Sequence, residues 1–211
     1  MIPERSLTFG DGTAPRLEGA LSMPPGASSG VVLCHPHPQY GGDMDSPVVM
    51  TAARACAQGH LATLRFNFRG VGASGGAWDE GRGEQDDVRA ALAHLRGLLG
   101  PPAHVALAGY SFGAAMAAAV AAAGEPLAGL TLIAPPLARR GLPALPAAVE
   151  GPLLVVAGNR DTHCPAEALA GLAGAWPSAI ITVIDGADHF FFGGLEALDA
   201  ALTGWVSKLP R

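Results

Sequence analysis

Six unbroken apolar runs of strand length recur along the chain, each parted from the next by a helical stretch or a turn-rich connection. The runs are GVVLCH (30–35), LATLRFNF (61–68), HVALAGY (104–110), LAGLTLIAP (127–135), GPLLVVAG (151–158) and AIITVIDG (179–186). None of them alternates apolar with polar residues. A strand with one face in water must alternate, so these runs read as parallel strands covered on both faces. The stretches SPVVMTAARACAQG (46–59), EQDDVRAALAHLRGLLG (84–100), FGAAMAAAVAAAG (112–124), PAEALAGLAGAW (165–176) and LEALDAALTGWVSKL (195–209) read as helices. In the second of these, Val88, Ala91, Leu92, Leu95, Leu98 and Leu99 form a 3.6-residue stripe. Strand and helix in alternation predict an α/β protein with a doubly wound, mostly parallel sheet. RSLTFGDGTAPRLEGALSMP near the start predicts an antiparallel β-hairpin ahead of that sheet. No internal repeat or long linker divides the chain, so residues 1–211 are expected to form a single domain.

Composition excludes several classes. Hydrophobic residues make up 49% and charged residues 15%, which suits a packed core and not a disordered chain. The net charge is −5 and no basic cluster exceeds Arg139-Arg140, so a nucleic-acid partner is not expected. The stretch AHVALAGYSFGAAMAAAVAAAG has the length of a membrane span. Its apolar content is mostly alanine and GYSFG interrupts it, so a buried strand followed by a buried helix is expected, with no membrane partner. The opening MIPERSLTFGDG shows no basic segment leading into a long apolar one. Three cysteines, Cys34, Cys56 and Cys164, with no CxxC, fit a reducing compartment. A cytoplasmic location is therefore expected.

The chemistry-bearing feature is GYSFG at 109–113, where the third strand run meets a helix. A G-x-S-x-G sequence at such a corner holds its serine on a sharp strand-to-helix turn, with the hydroxyl above the sheet. Gly109 and Gly113 remove side chains that would strike neighbouring chain, and the helix N-terminus favours developing negative charge. A serine nucleophile needs a histidine base and an acid to orient it. Of seven histidines only His163 and His189 follow Ser111. The acids between Ser111 and the last strand run are Glu125, Glu150, Asp161 and Glu167. Asp161 in AGNRDTHCP and His189 in DGADHFF each stand directly after a strand run, on the same carboxyl edge as Ser111. His163 lies two residues from Asp161 on one loop and is poorly placed to bridge it to a distant serine. Asp185 and Asp188 are too near His189 to orient it. The candidate catalytic residues are therefore Ser111, His189 and Asp161.

The motifs CHPHPQYGG (34–42), LRFNFRGVGASGG (64–76), GYSFG (109–113), GNRDTHCP (158–165) and GADHFF (187–192) together resemble the α/β-hydrolases, in particular small members that nearly lack a cap. The resemblance spans nearly the full length, and Ser111, Asp161 and His189 match the family's three catalytic positions one by one. HPHP stands where many relatives have His-Gly and a variable residue. Aligning His35 with the family's loop histidine implies an oxyanion hole built from the backbone N–H groups of Phe112 and His37, with Gln39 and Tyr40 as alternatives for the second donor. The Arg69 turn matches the family's Arg-Gly-x-Gly-x-Ser, with Arg69 as a structural donor. The resemblance implies a serine hydrolase of carboxylic esters that needs no cofactor and no metal.

Rival readings are a zinc site at His35, His37, Asp43 and Asp45, a phosphate-cradling loop at RGVGASGG, and a nucleophilic Cys164. Prolines on both sides of His37 and the absence of G-K-[ST] argue against the first two, and the third lacks a base. A non-catalytic binding protein of the same fold, or an acyltransferase or perhydrolase with the same three residues, would share these motifs. The expected partner is a small ester-like molecule, and the sequence leaves a homodimer open. The segment PLARRGLPALPAAVE (136–150), with Pro143 and Pro146, is too short for a separate helical cap. A shallow, open cleft with a preference for short acyl groups is expected, with Arg139 and Arg140 at its rim or simply solvated.

Overall fold

The computed structural model describes residues 3–10, 12, 15–139, 141–144 and 149–211. Its strands are β1 (Glu4–Phe9), β2 (Leu17–Ser22), β3 (Ser29–Cys34), β4 (Ala62–Phe66), β5 (His104–Tyr110), β6 (Leu130–Ile133), β7 (Leu153–Gly158) and β8 (Ile180–Ile184). Its helices are α1 (Pro47–Gln58), α2 (Gly83–Leu99), α3 (Phe112–Ala122), α4 (Ala166–Ala175) and α5 (Leu195–Val206). All eight strands join one sheet in the order β1-β2-β4-β3-β5-β6-β7-β8. The hairpin β1-β2 is antiparallel and docks antiparallel on β4, and every later pairing is parallel. Each expected run became a strand and each expected helix a helix. The described residues thus form a single α/β layer system with the hairpin ahead of it, as the alternation predicts.

The unbroken apolar runs have a direct cause. Successive side chains of a strand point to opposite faces, and both faces here are buried. Val32 and Cys34 of β3 join the core under α2, α3 and α4, whereas Val31 and Leu33 join the core under α1 and α5. β8 departs from the expectation of two-sided cover: as the last strand of the sheet, it leaves Ile180 43% and Val183 48% exposed.

The membrane-like stretch resolves into β5 and α3. Nine of the eleven α3 residues are buried, so the helix has no polar face to show. Its alanines keep it narrow where it meets β3, β5, β6 and α2. Among the described residues no helix is long and apolar enough to cross a membrane.

The turn after β4 is built on buried charge. Arg69 forms a bidentate pair with Asp87 of α2, which is fully buried, and the Arg69 N–H also bonds Asp87 Oδ2 at 3.0 Å. Ser74 Oγ donates to Asn67 O at 2.7 Å and accepts from Glu18 N at 2.9 Å. The glycine-rich segment is thus tied to α2 and to the hairpin, which is the structural role expected of Arg69.

Candidate active site

Ser111 sits between β5 and α3 with φ 54° and ψ −112°, a left-handed conformation that a side chain rarely adopts. Such a backbone stores about 1–3 kcal/mol and needs its surroundings to hold it. Here Ser111 N donates to Ile133 O at 2.8 Å, and Ser111 O accepts from Ala114 N and Ala115 N. The flanking glycines are required by close approach. A Cβ on Gly113 would stand 2.4 Å from Cys34 O and 2.6 Å from His35 O, and one on Gly109 would stand 2.2 Å from Gly113 O. The corner is therefore pressed against the end of β3, with Ser111 at its tip.

The structure brings together three residues that the sequence separates widely. His189 Nε2 lies 3.0 Å from Ser111 Oγ, and His189 Nδ1 lies 2.9 Å from Asp161 Oδ2. Asp161 Oδ1 accepts from the backbone N–H of His163 at 2.8 Å and of Cys164 at 3.1 Å. With its side chain fully buried, the carboxylate has no freedom to turn away. A carboxylate is an acceptor only, so Nδ1 carries the ring proton and Nε2 is left free to accept one from Ser111. Glu125 is engaged elsewhere, with Arg96. Asp188 Oδ1 accepts from the N–H groups of Phe190 and Phe192, and Asp185 accepts from Asn159 Nδ2.

Two contacts at His189 were not foreseen. Tyr110 Oη donates to His189 O at 2.9 Å, tying the histidine loop to the residue before the serine. The His163 ring packs tilted against His189, with ring centres 4.4 Å apart and 33° between their planes. No spacing rule relates Tyr110 or His163 to a residue on another loop, so the sequence carried no signal for either.

Near the serine, several backbone N–H groups are unengaged. Among the described residues those of Phe112 and His37 meet no acceptor. Gln39 N donates to His37 Nδ1 at 3.2 Å and Tyr40 N to His37 O at 3.1 Å, so both alternatives for the second donor are already occupied.

The rival sites lose their donors to structural bonds. His35 is fully buried, with Nδ1 2.6 Å from Pro36 O and Nε2 3.0 Å from Phe68 N. Nδ1 therefore donates and Nε2 accepts, and burial pushes the ring down to about 4. Asp45 pairs with Arg65, and Asp43 accepts from Asp45 N. Among the described residues the one grouping with metal-ligand proximity is Asp161, His163 and His189, within 4.8 Å. Two of its members are already bonded to each other. Cys164 is buried, and burial, reinforced by Asp161, pushes its thiol up to about 12, far from a usable thiolate.

Ser111 and His189 open into a cleft of about 920 Å³. It is larger than a short acyl group alone would fill. His37, Tyr40, Trp78 and Phe112 form part of its lining, with Phe190 and Phe192 also present. Arg139 borders it, whereas Arg140 lies outside the described residues. His37 is held below its ordinary value, first by burial and then by Arg139, with Glu84 opposing.

Comparison with known proteins gives the family of the chain. A family model described as an alpha/beta hydrolase domain matches residues 28–194. An uncharacterized protein of Rickettsia prowazekii is 30% identical over 208 residues, covering 93% of this chain and 86% of that protein. The solved structure of an alpha-beta serine hydrolase homologue from Coxiella burnetii is 35% identical, with a TM-score of 0.85 over 95% of this chain and 96% of that one. A serine hydrolase without lid from Xanthomonas campestris is 34% identical, with a TM-score of 0.86 over 100% of this chain and 97% of that one. A strained serine corner, the sheet that carries it and a family match over most of the length lead to one assignment: the chain belongs to the α/β-hydrolase family, among its serine hydrolases.

Proposed function

We propose that the protein hydrolyses carboxylic esters through an acyl-enzyme, with Ser111 as nucleophile, His189 as base and Asp161 as the group that orients the imidazole. The observation that carries this reading is the hydrogen-bonded chain from Ser111 Oγ through His189 to the buried Asp161, at 3.0 and 2.9 Å. Ser111 Oγ attacks the ester carbonyl as His189 Nε2 takes its proton. The carbonyl oxygen becomes an oxyanion facing the N–H groups of Phe112 and His37, whose freedom from other acceptors supports this role. Collapse expels the alcohol, which receives the proton from His189. Water then attacks the acyl-serine, gives its proton to His189, and the acid leaves as Ser111 regains the proton.

Short acyl groups, roughly two to six carbons, are the proposed acyl partners. Each buried CH₂ contributes about 0.8 kcal/mol, so a long chain gains only where an enclosing tunnel removes it from water. The described part of the 136–150 connection holds no helix that would roof such a tunnel. We further propose that residues 1–211 act as one domain. A cytoplasmic setting is supported by three cysteines that are buried and free.

The test combines labelling and turnover. A fluorophosphonate should label the wild type rapidly and fail to label Ser111→Ala, and that variant should lose on the order of 10⁴–10⁶ in kcat with its fold intact. A series of p-nitrophenyl esters should peak at short chains. A folded Ser111→Ala protein with near wild-type turnover sinks the mechanism, and an optimum at about twelve carbons or more sinks the short-acyl reading.

A further inference from the structure

Resting on the ester-hydrolase reading above, the geometry points to the substrate class: an ester carrying a flat, uncharged aromatic ring, seated against Tyr40, His37, Trp78 and Phe112. These four rings belong to three separate segments, yet they form one continuous wall. The His37 ring centre lies 4.6 Å from Tyr40, 4.7 Å from Trp78 and 5.1 Å from Phe112. Trp78 and Phe112 are themselves 5.1 Å apart. The interplanar angles run from 35° to 53°, so the rings do not lie in a parallel stack. The wall begins beside the nucleophile, at Phe112, and reaches solvent at Tyr40, which is 76% exposed.

Exposure gives an independent reason to expect a ligand. The large apolar side chains exposed among the described residues are Tyr40, Met50, Leu98, Ile180, Val183, Phe190 and Phe192. All three aromatic members of that set line this one cleft. Leaving aromatic area in water forgoes burial free energy, and concentrating it at one mouth marks a place where something apolar is bound.

The wall is held in place by its own structure. Glu84, fully buried, accepts from Asp79 N at 2.8 Å and Gly81 N at 2.7 Å, fixing the chain that follows Trp78. His37 Nδ1 accepts from Gln39 N, which orients the imidazole and leaves the proton on Nε2. Such preorganisation lowers the ordering entropy lost on binding. Glu80 and Arg139 border the cleft with opposite signs, so together they favour neither an anionic nor a cationic ligand. Several tilted rings around one space favour another ring over a saturated group of equal size, because edge-to-face and offset contacts add to plain area burial.

Matched ester pairs test the assignment. Benzyl acetate against cyclohexylmethyl acetate probes the alcohol side, and methyl phenylacetate against methyl cyclohexylacetate probes the acyl side. In at least one pair the aromatic ester should have the higher kcat/KM by about three- to tenfold, expressed chiefly in KM. Trp78→Leu should bring that ratio within about twofold of one. Tyr40→Ala, at an exposed position, should also reduce it and serves if Trp78→Leu fails to fold. A ratio at or below one in both pairs overturns the proposal, as does a preference unchanged in the variants. Binding of uncleavable N-benzylacetamide and N-cyclohexylmethylacetamide to Ser111→Ala, followed by the Trp78 indole NMR signal, separates the two claims. Preference for the benzyl compound with no ester turnover in the wild type sustains the ring wall and removes the ester reading. Ester turnover with no aromatic preference in either ester pair and no benzyl preference in binding does the reverse.

Discussion

Replacing Asp161 by Asn changes one atom in a place where the surroundings dictate how the new side chain must sit. Asp161 Oδ1 accepts two backbone N–H groups, from His163 and Cys164. An amide NH₂ facing those donors would leave three N–H groups pointing at one another in a fully buried position. The Asn oxygen must therefore take the Oδ1 place, and its NH₂ must face His189 Nδ1. Against a donor, Nδ1 can only accept, so the ring proton moves to Nε2. His189 then offers Ser111 a proton where the reaction needs a lone pair. The fold should survive, since shape and both backbone bonds are kept. The catalytic loss should be about 10³- to 10⁴-fold in kcat, equivalent to roughly 4–5.5 kcal/mol of transition-state stabilisation. Steady-state hydrolysis of p-nitrophenyl acetate, with thermal unfolding measured alongside, reads both quantities. Turnover within tenfold of wild type in a folded Asp161→Asn protein would show that the carboxylate does not set the tautomer, and the assignment of the acid would fall.

Three further outcomes follow from the packing. The folded-state pKa of His35, about 4, lies below its ordinary 6.5, so stability is full above pH 6.5 and falls as pH drops towards 4, by about 3 kcal/mol. Chemical unfolding across that window should show the decline, and His35→Asn, less stable at pH 7.5, should show a shallower one. Gly113→Ala places a Cβ 2.4 Å from Cys34 O, so it should destabilise by several kcal/mol or prevent folding, read by circular dichroism and melting. Asp87→Ala strands Arg69, whose side chain is only 14% exposed, and should lower unfolding free energy by about 3 kcal/mol in denaturant titration.

The alternation of strands and helices and the position of the serine corner were legible in the chain's local pattern. Unbroken apolar runs between helical stretches point to strands covered on both faces, which holds for β3 to β7 and fails at the last strand, β8, and a G-x-S-x-G at a strand end points to a serine at the tip of a tight turn. Ser111, Asp161 and His189 could be nominated because each directly follows a strand, and in a parallel sheet those ends share one edge. The remainder depends on distance through space. The tilted packing of His163 against His189, the Tyr110 hydroxyl on His189 O, and the approach of Trp78 to His37 and Phe112 join segments whose spacing in the chain follows no period. The occupation of Gln39 N and Tyr40 N by acceptors of His37 is likewise set by one short turn. Local pattern encodes which face of an element is buried. Which loops meet above the sheet is decided only when the strands have paired, because that pairing alone fixes the directions in which their ends point.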